Sequence, residues 1–244
     1  MSNDITVFLT PTWRSLTPWV TGATGAVALT LGVLSVLFGM DSVAAQAADV
    51  AGSLGGAAGP GLETGPLASP AGLPSALAFR PSGWSPSDLW RTLTCHLVHF
   101  SPGHLLLNLV TLGVLGTLSE LRSRRALAWA LGLSALTIPV ALVVTNAPFS
   151  EYRGLSGLAS AVYMLLCTQL TREAWDDRRP IGFVLPVAAA IGFTAKVWVE
   201  LQSGQAVFVD SAAGGFHPVP LAHAVAGAIG LGVGALSMMA KGRR

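Results

Sequence analysis

Charge is scarce in this 244-residue sequence. Only 11% of its residues are Asp, Glu, Lys or Arg, against about a quarter in an ordinary soluble domain. That scarcity excludes the solvated exterior of a soluble globular protein. Net charge is +2, and the basic residues sit in short clusters between apolar blocks, so no continuous basic face exists for nucleic acid. Cysteine is nearly absent. Cys95 and Cys167 lie in or beside different apolar blocks, which reads as packing and not as a disulfide framework. No HExxH occurs and no carboxylate falls within the spacings of His96, His99 and His104. A metal site is therefore not expected, and no cofactor is implied. What the chain has in quantity is apolar length. Hydrophobic residues make up 52% and gather into blocks of about 20, each long enough to cross a ~30 Å hydrocarbon core as a helix.

Taken in order, residues 1–18 are short and polar, and the first block runs from Trp19 to Met40. Its small-residue exit, Ala45-Gln46-Ala47, is like a signal-peptide cleavage site. The block is longer than the ~7–15 residues of a signal peptide's apolar region, so an uncleaved first span is expected. Residues 41–88 are rich in Ala, Gly, Pro and Ser without a sustained period, which predicts a mostly irregular loop. The second span is expected from Gly103 to Glu120, after the break at Pro102-Gly103. The third runs from Ala126 to Ala147 with a kink at Pro139, the fourth from Gly154 to Leu170, the fifth from Ile181 to Leu201, and the sixth from about Val219 to Ala240. The fold class that follows is an all-α polytopic membrane protein of six transmembrane helices in a lipid bilayer.

Basic residues accumulate on the cytoplasmic side of short loops. Ten of the 14 Lys and Arg fall on one side: Arg14, the Arg122–Arg125 cluster, Arg172 with Arg178 and Arg179, and the Lys241–Arg244 end. Both termini are therefore expected in the cytoplasm and the 41–88 loop outside. On that topology the second, fourth and sixth spans all enter from the outer face. His104, Asn108, Ser156 and His223 then lie within the first turn or two of their spans, within ~10 Å of the outer boundary at 1.5 Å per residue. Three separate spans bring polar residues to one depth.

A serine hydroxyl becomes a useful nucleophile when a base takes its proton, and histidine is the commonest such base near neutral pH. Ser156, between Leu155 and Gly157 at the start of the fourth span, is the candidate nucleophile. His223, an ionisable group inside the sixth span, is the candidate base. The plainer alternatives are a helix start and an interhelical hydrogen bond. The Ser156 N–H, at a helix N-terminus, is one donor for an oxyanion. His104 and Asn108, four apart on one face, supply two more or simply join helices. Gly157 with Ala161, and Ala226 with Gly230 and Gly234, are small-xxx-small patterns that let the fourth and sixth spans approach closely. Lys196 and Glu200, spaced i, i+4, read as a mutually neutralising pair, with substrate binding as the alternative.

At these residues the sequence resembles the rhomboid family of intramembrane serine proteases over about residues 89–236. The likeness is carried by His99-Phe100-Ser101, His104-Leu105-Leu106-Leu107-Asn108, Gly154-Leu155-Ser156-Gly157 and Ala222-His223. It implies Ser156 as nucleophile, His223 as base, and an oxyanion or substrate-binding role for His104, Asn108, Gly154 and the Ser156 N–H. Its site would face the periplasmic side of a bacterial cytoplasmic membrane, and its partner would be a transmembrane protein substrate. The chain then divides into a tail and first helix (1–40), an external loop (41–88) and a rhomboid catalytic core (89–244). Two departures stand out: Ala226 replaces a family glycine, and the external-loop Trp-Arg motif has no counterpart. Within the family, Tyr152 to Gly157 and the Lys196–Glu200 stretch resemble the rhombosortases, which are implicated in processing exported proteins with a C-terminal Gly-Gly motif. Two other readings stand beside this one: a rhomboid-like protein that binds membrane clients without cutting, and a transporter built on Lys196 and Glu200.

Overall fold

The computed structural model describes residues 73–100, 102–147, 150–207 and 219–241. The first apolar block, the earlier part of the 41–88 loop and His217 lie outside the described residues. Regular structure among the described residues is helical apart from one antiparallel bridge between Phe79 and Tyr152. The helices are α1 (Leu73–Leu77), α2 (Arg91–Thr94), α3 (Pro102–Val144), α4 (Ser156–Asp176), α5 (Pro180–Ser203) and α6 (Pro220–Lys241), with a 3-10 turn at Pro86–Asp88. The segments expected as the second and third spans fall on the two arms of α3, and those expected as the fourth to sixth fall on α4, α5 and α6. Residues 73–88, expected to be irregular, contain α1 and the 3-10 turn.

The arms of α3 are separated by a single residue. Ser123 has φ −162° and ψ 99°, extended values inside an otherwise helical run. Its hydroxyl accepts the N–H of Ala126 at 3.2 Å, so Ser123 caps the second arm in the manner of an N-cap serine. The chain doubles back there. A Cβ on Gly154 would touch His104 of the first arm, and one on Gly157 would collide with Ile138 of the second. A straight helix would hold those two residues roughly 50 Å apart. The turn is held by ion pairs: Arg124 to Glu120 at 2.9 Å and Arg122 to Glu173 of α4 at 3.0 Å.

Helical dihedrals continue through Pro139, with Ser123 the only non-helical residue within α3. Pro139 has no N–H, so it leaves the carbonyl of Ala135 without its i+4 donor. His96 fills the gap, its Nε2 lying 3.1 Å from that oxygen. Burial lowers the proton affinity of His96, so the ring is neutral and has one N–H to give. The shorter contact claims it, in preference to the Gly154 carbonyl 3.3 Å from Nδ1. Pro180 opens α5 at a position that needs no N–H, and Gly204 closes it in the left-handed region at φ +68°.

α4 is the axis of the bundle, and α3, α5 and α6 all pack against it. Ala161, Val162 and Leu165 of α4, Ile138 and Leu142 of α3 and Ala226 of α6 are fully enclosed. Small residues set how closely α4 and α6 approach. A Cβ on Gly230 would stand 2.0 Å from the Ala161 carbonyl oxygen, and one on Gly234 2.7 Å from Thr168. The outer faces reverse the soluble pattern. Leu106, Val110 and Val114 on the first arm, Trp129 and Leu136 on the second, and Ile181, Leu185 and Trp198 on α5 are exposed. Large apolar side chains facing outward around a bundle call for lipid. Among the described residues three helices are long and apolar enough to cross a membrane, α3 counting as one of them despite its reversal. Only 11% of the most apolar window of α5 is enclosed by the described residues, the least of the three.

Candidate active site

The nucleophile candidate is built by a short loop. Tyr152 pairs its backbone with Phe79, through N–H···O distances of 2.7 and 3.0 Å. Gly154 donates its N–H to the Cys95 carbonyl at 2.9 Å and adopts φ +119°, a conformation open to glycine and strained for other residues. The N–H of Leu155 donates to Nε2 of His99 at 3.2 Å. Burial, then the neighbouring His104, pushes the His99 ring's pKa down to about 3, so it stays neutral and can accept. His99 thus holds the residue before Ser156. The loop is thereby fixed at Tyr152, Gly154 and Leu155, and α4 starts at once with Ser156 as its first residue.

That position gives Ser156 two properties. Its N–H is among the first of the helix, which have no partner within the helix, and its hydroxyl faces a cavity of about 610 Å³. On the opposite wall α6 presents His223, whose Nε2 is 3.2 Å from Ser156 Oγ. His104, Asn108 and Arg153 also line the cavity. Asn108 is buried, and its Nδ2 donates to the His104 carbonyl at 2.9 Å. The Phe100 ring carries the Arg153 guanidinium 4.5 Å above it, and Arg153 is ion-paired with Glu151. Gly154 lies behind, against the rings of His104 and His99. The structure thus brings Ser156, His223, His104 and Asn108 to one cavity, with Gly154 supporting the loop and its N–H committed to Cys95.

One further side chain reaches the site. Oε2 of Glu200, on α5, lies 3.4 Å from His223 Nδ1. It also receives Lys196 Nζ at 2.8 Å, while Oε1 accepts the Val207 N–H at 3.1 Å. The i, i+4 spacing of Lys196 and Glu200 exposes their mutual pairing to a sequence reader. It carries no sign of a third partner 23 residues away.

A hydroxyl and an imidazole 3.2 Å apart, at the mouth of a helix inside a bundle whose exterior is apolar, form the candidate site. A profile of the rhomboid domain matches residues 86–239, and the chain belongs to the rhomboid family. That family comprises serine intramembrane proteases acting on transmembrane substrates, so the protein is a multi-pass membrane protein of that class. No curated protein matches the chain significantly. The family glycine replaced by Ala226 falls where α6 is fully buried, and the tightest contact with α4 comes one turn later, at Gly230.

Proposed function

We propose that this protein is a six-span intramembrane serine endopeptidase of a bacterial cytoplasmic membrane. Both termini are cytoplasmic and the cavity opens toward the periplasmic face. Ser156 is the nucleophile and His223 the general base. The single observation that carries the reading is the 3.2 Å contact between Ser156 Oγ and His223 Nε2 inside a lined cavity.

The chemistry follows from the positions. His223 Nε2 takes the Ser156 hydroxyl proton as Oγ bonds to the scissile carbonyl carbon. The carbonyl oxygen becomes an oxyanion beside the Ser156 N–H, with the side chains of His104 and Asn108 as further donors. Collapse breaks the C–N bond, and His223 returns the proton to the leaving amine. A water then gives a proton to His223 as its oxygen bonds to the acyl carbon, and His223 passes that proton to Ser156 Oγ as the C–Oγ bond breaks, which frees the acid and restores the serine. The substrate is a transmembrane segment that must unwind locally, because helical carbonyls are shielded and already bonded. Residues that destabilise a helix favour this, in keeping with a Gly-Gly sorting tail on an exported protein.

The test pairs wild type with Ser156→Ala in liposomes, each given a fluorophosphonate and a reporter bearing a Gly-Gly transmembrane tail. Labelling and cleavage by wild type alone is the expected result. A wild type that binds the tail yet neither labels nor cuts would replace the protease with a non-catalytic client-binding protein.

A further inference from the structure

We infer that Glu200 is a third member of the catalytic unit, a positioning residue that orients His223 and fixes which of its nitrogens carries the proton. The inference deepens the protease reading and rests on it.

The argument begins with what a carboxylate can do. An ionised Glu only accepts. If His223 Nδ1 is to bond Glu200 Oε2 at 3.4 Å, Nδ1 must carry the hydrogen. The neutral ring then has its lone pair on Nε2, the nitrogen 3.2 Å from Ser156 Oγ. That tautomer is the one in which His223 can take the serine proton. The opposite tautomer would place N–H against the hydroxyl and a lone pair against the carboxylate, disabling the base and setting two acceptors face to face.

The rest of the carboxylate's environment keeps it in that place. Glu200 is 1% exposed, and its two oxygens are held from two further directions, by Lys196 within α5 and by the Val207 N–H beyond it. A pair that served only to neutralise itself in hydrocarbon would need one contact and could lie anywhere along α5. Here the carboxylate instead reaches across to α6, and Lys196 also lines the cavity. From the other helices, Ser156 on α4 and His104 on α3 face the same space, and neither carries a fixed negative charge. Glu200 is thus the anion beside His223 when that ring becomes an imidazolium. The serine proton stops at Nε2, while the Nδ1 proton stays on the ring, donated to Glu200. The carboxylate is not protonated at any step.

The experiment compares full-length wild type, Glu200→Gln and Glu200→Asp in liposomes, with Ser156→Ala as the blank. It measures kcat and KM for the reporter and, in detergent, the 15N side-chain spectrum of His223. Glutamine matches the shape but removes the charge and can turn its NH₂ to the ring. Expected are a fall in kcat of at least about 100-fold, since misassigning the tautomer in a serine triad costs roughly 10⁴, with KM nearly unchanged. Partial recovery in Glu200→Asp is expected too. The wild-type spectrum should show the Nδ1–H form, and Glu200→Gln should lose it. An unchanged kcat in Glu200→Gln, or a wild-type His223 in the Nε2–H form, overturns the inference. The spectrum needs no turnover and can be read on wild type alone, so a Gln variant that fails to fold does not shield the idea. If wild type neither labels nor cuts, the protease reading fails by itself, and the His223 spectrum still decides whether Glu200 sets its tautomer.

Discussion

His99 is a neutral ring, and that ties the loop before Ser156 to pH. In an unfolded chain histidine titrates near 6.5; here burial and His104 push it down to about 3. The unfolded state binds more protons between those values. The stability His99 contributes is therefore whole above about pH 6.5 and lost progressively as pH falls toward 3. Thermal unfolding should shift to lower temperature across that window. His99→Gln, whose carbonyl oxygen can also accept from Leu155 N–H but cannot titrate, should show a shallower slope. Buried His96, lowered in the same way, retains part of it. Gly154 is the neighbouring single-residue test. At φ +119°, with the His104 ring 3.4 Å from a would-be Cβ, Gly154→Ala should cost about 1–3 kcal/mol and most of the cleavage activity.

At the scale of elements, the site depends on how closely α4 and α6 lie. Gly230→Ala puts a methyl into the Ala161 carbonyl and forces the helices apart. We expect a loss of roughly 1–3 kcal/mol and slower fluorophosphonate labelling, because Ser156 and His223 sit on the two helices being separated. Gly232→Ala, two residues on with nothing within 4 Å, should leave both nearly unchanged. The Gly230 pattern is legible in the sequence because close helix approach needs small residues at a fixed period. The spans themselves are legible because hydrocarbon demands apolar length. Ser123 is not: read from sequence it is one polar residue in an arginine cluster. Only the backbone reveals that it closes one helix and opens the next. Ser123→Ala should cost about 1 kcal/mol as a lost cap, and Ser123→Gly a few tenths.

Across the whole molecule, Ser156, His223, His104 and Asn108 can be found in the sequence because each is a polar residue in or at the edge of an apolar run. Glu200 is hidden by its own satisfaction with Lys196, and the loop anchors by distances of 56 or more residues between Cys95, His99 and the Gly154–Leu155 turn they hold. The orientation has a direct check. Cys95 and Cys167 are both buried, so a single reactive cysteine can be added to the exposed positions Ser82 or Arg125. An impermeant maleimide applied outside intact spheroplasts should label Ser82→Cys and spare Arg125→Cys; the reverse would invert the topology. The His96 bond to the carbonyl that Pro139 leaves open reaches further than a local repair. A regular helix keeps its acceptors to itself, whereas this one lends a carbonyl sideways to the segment that also holds Gly154. Pro139 and His96 are then one lock made of two residues far apart in sequence. Once either is replaced by alanine, replacing the other should cost little more.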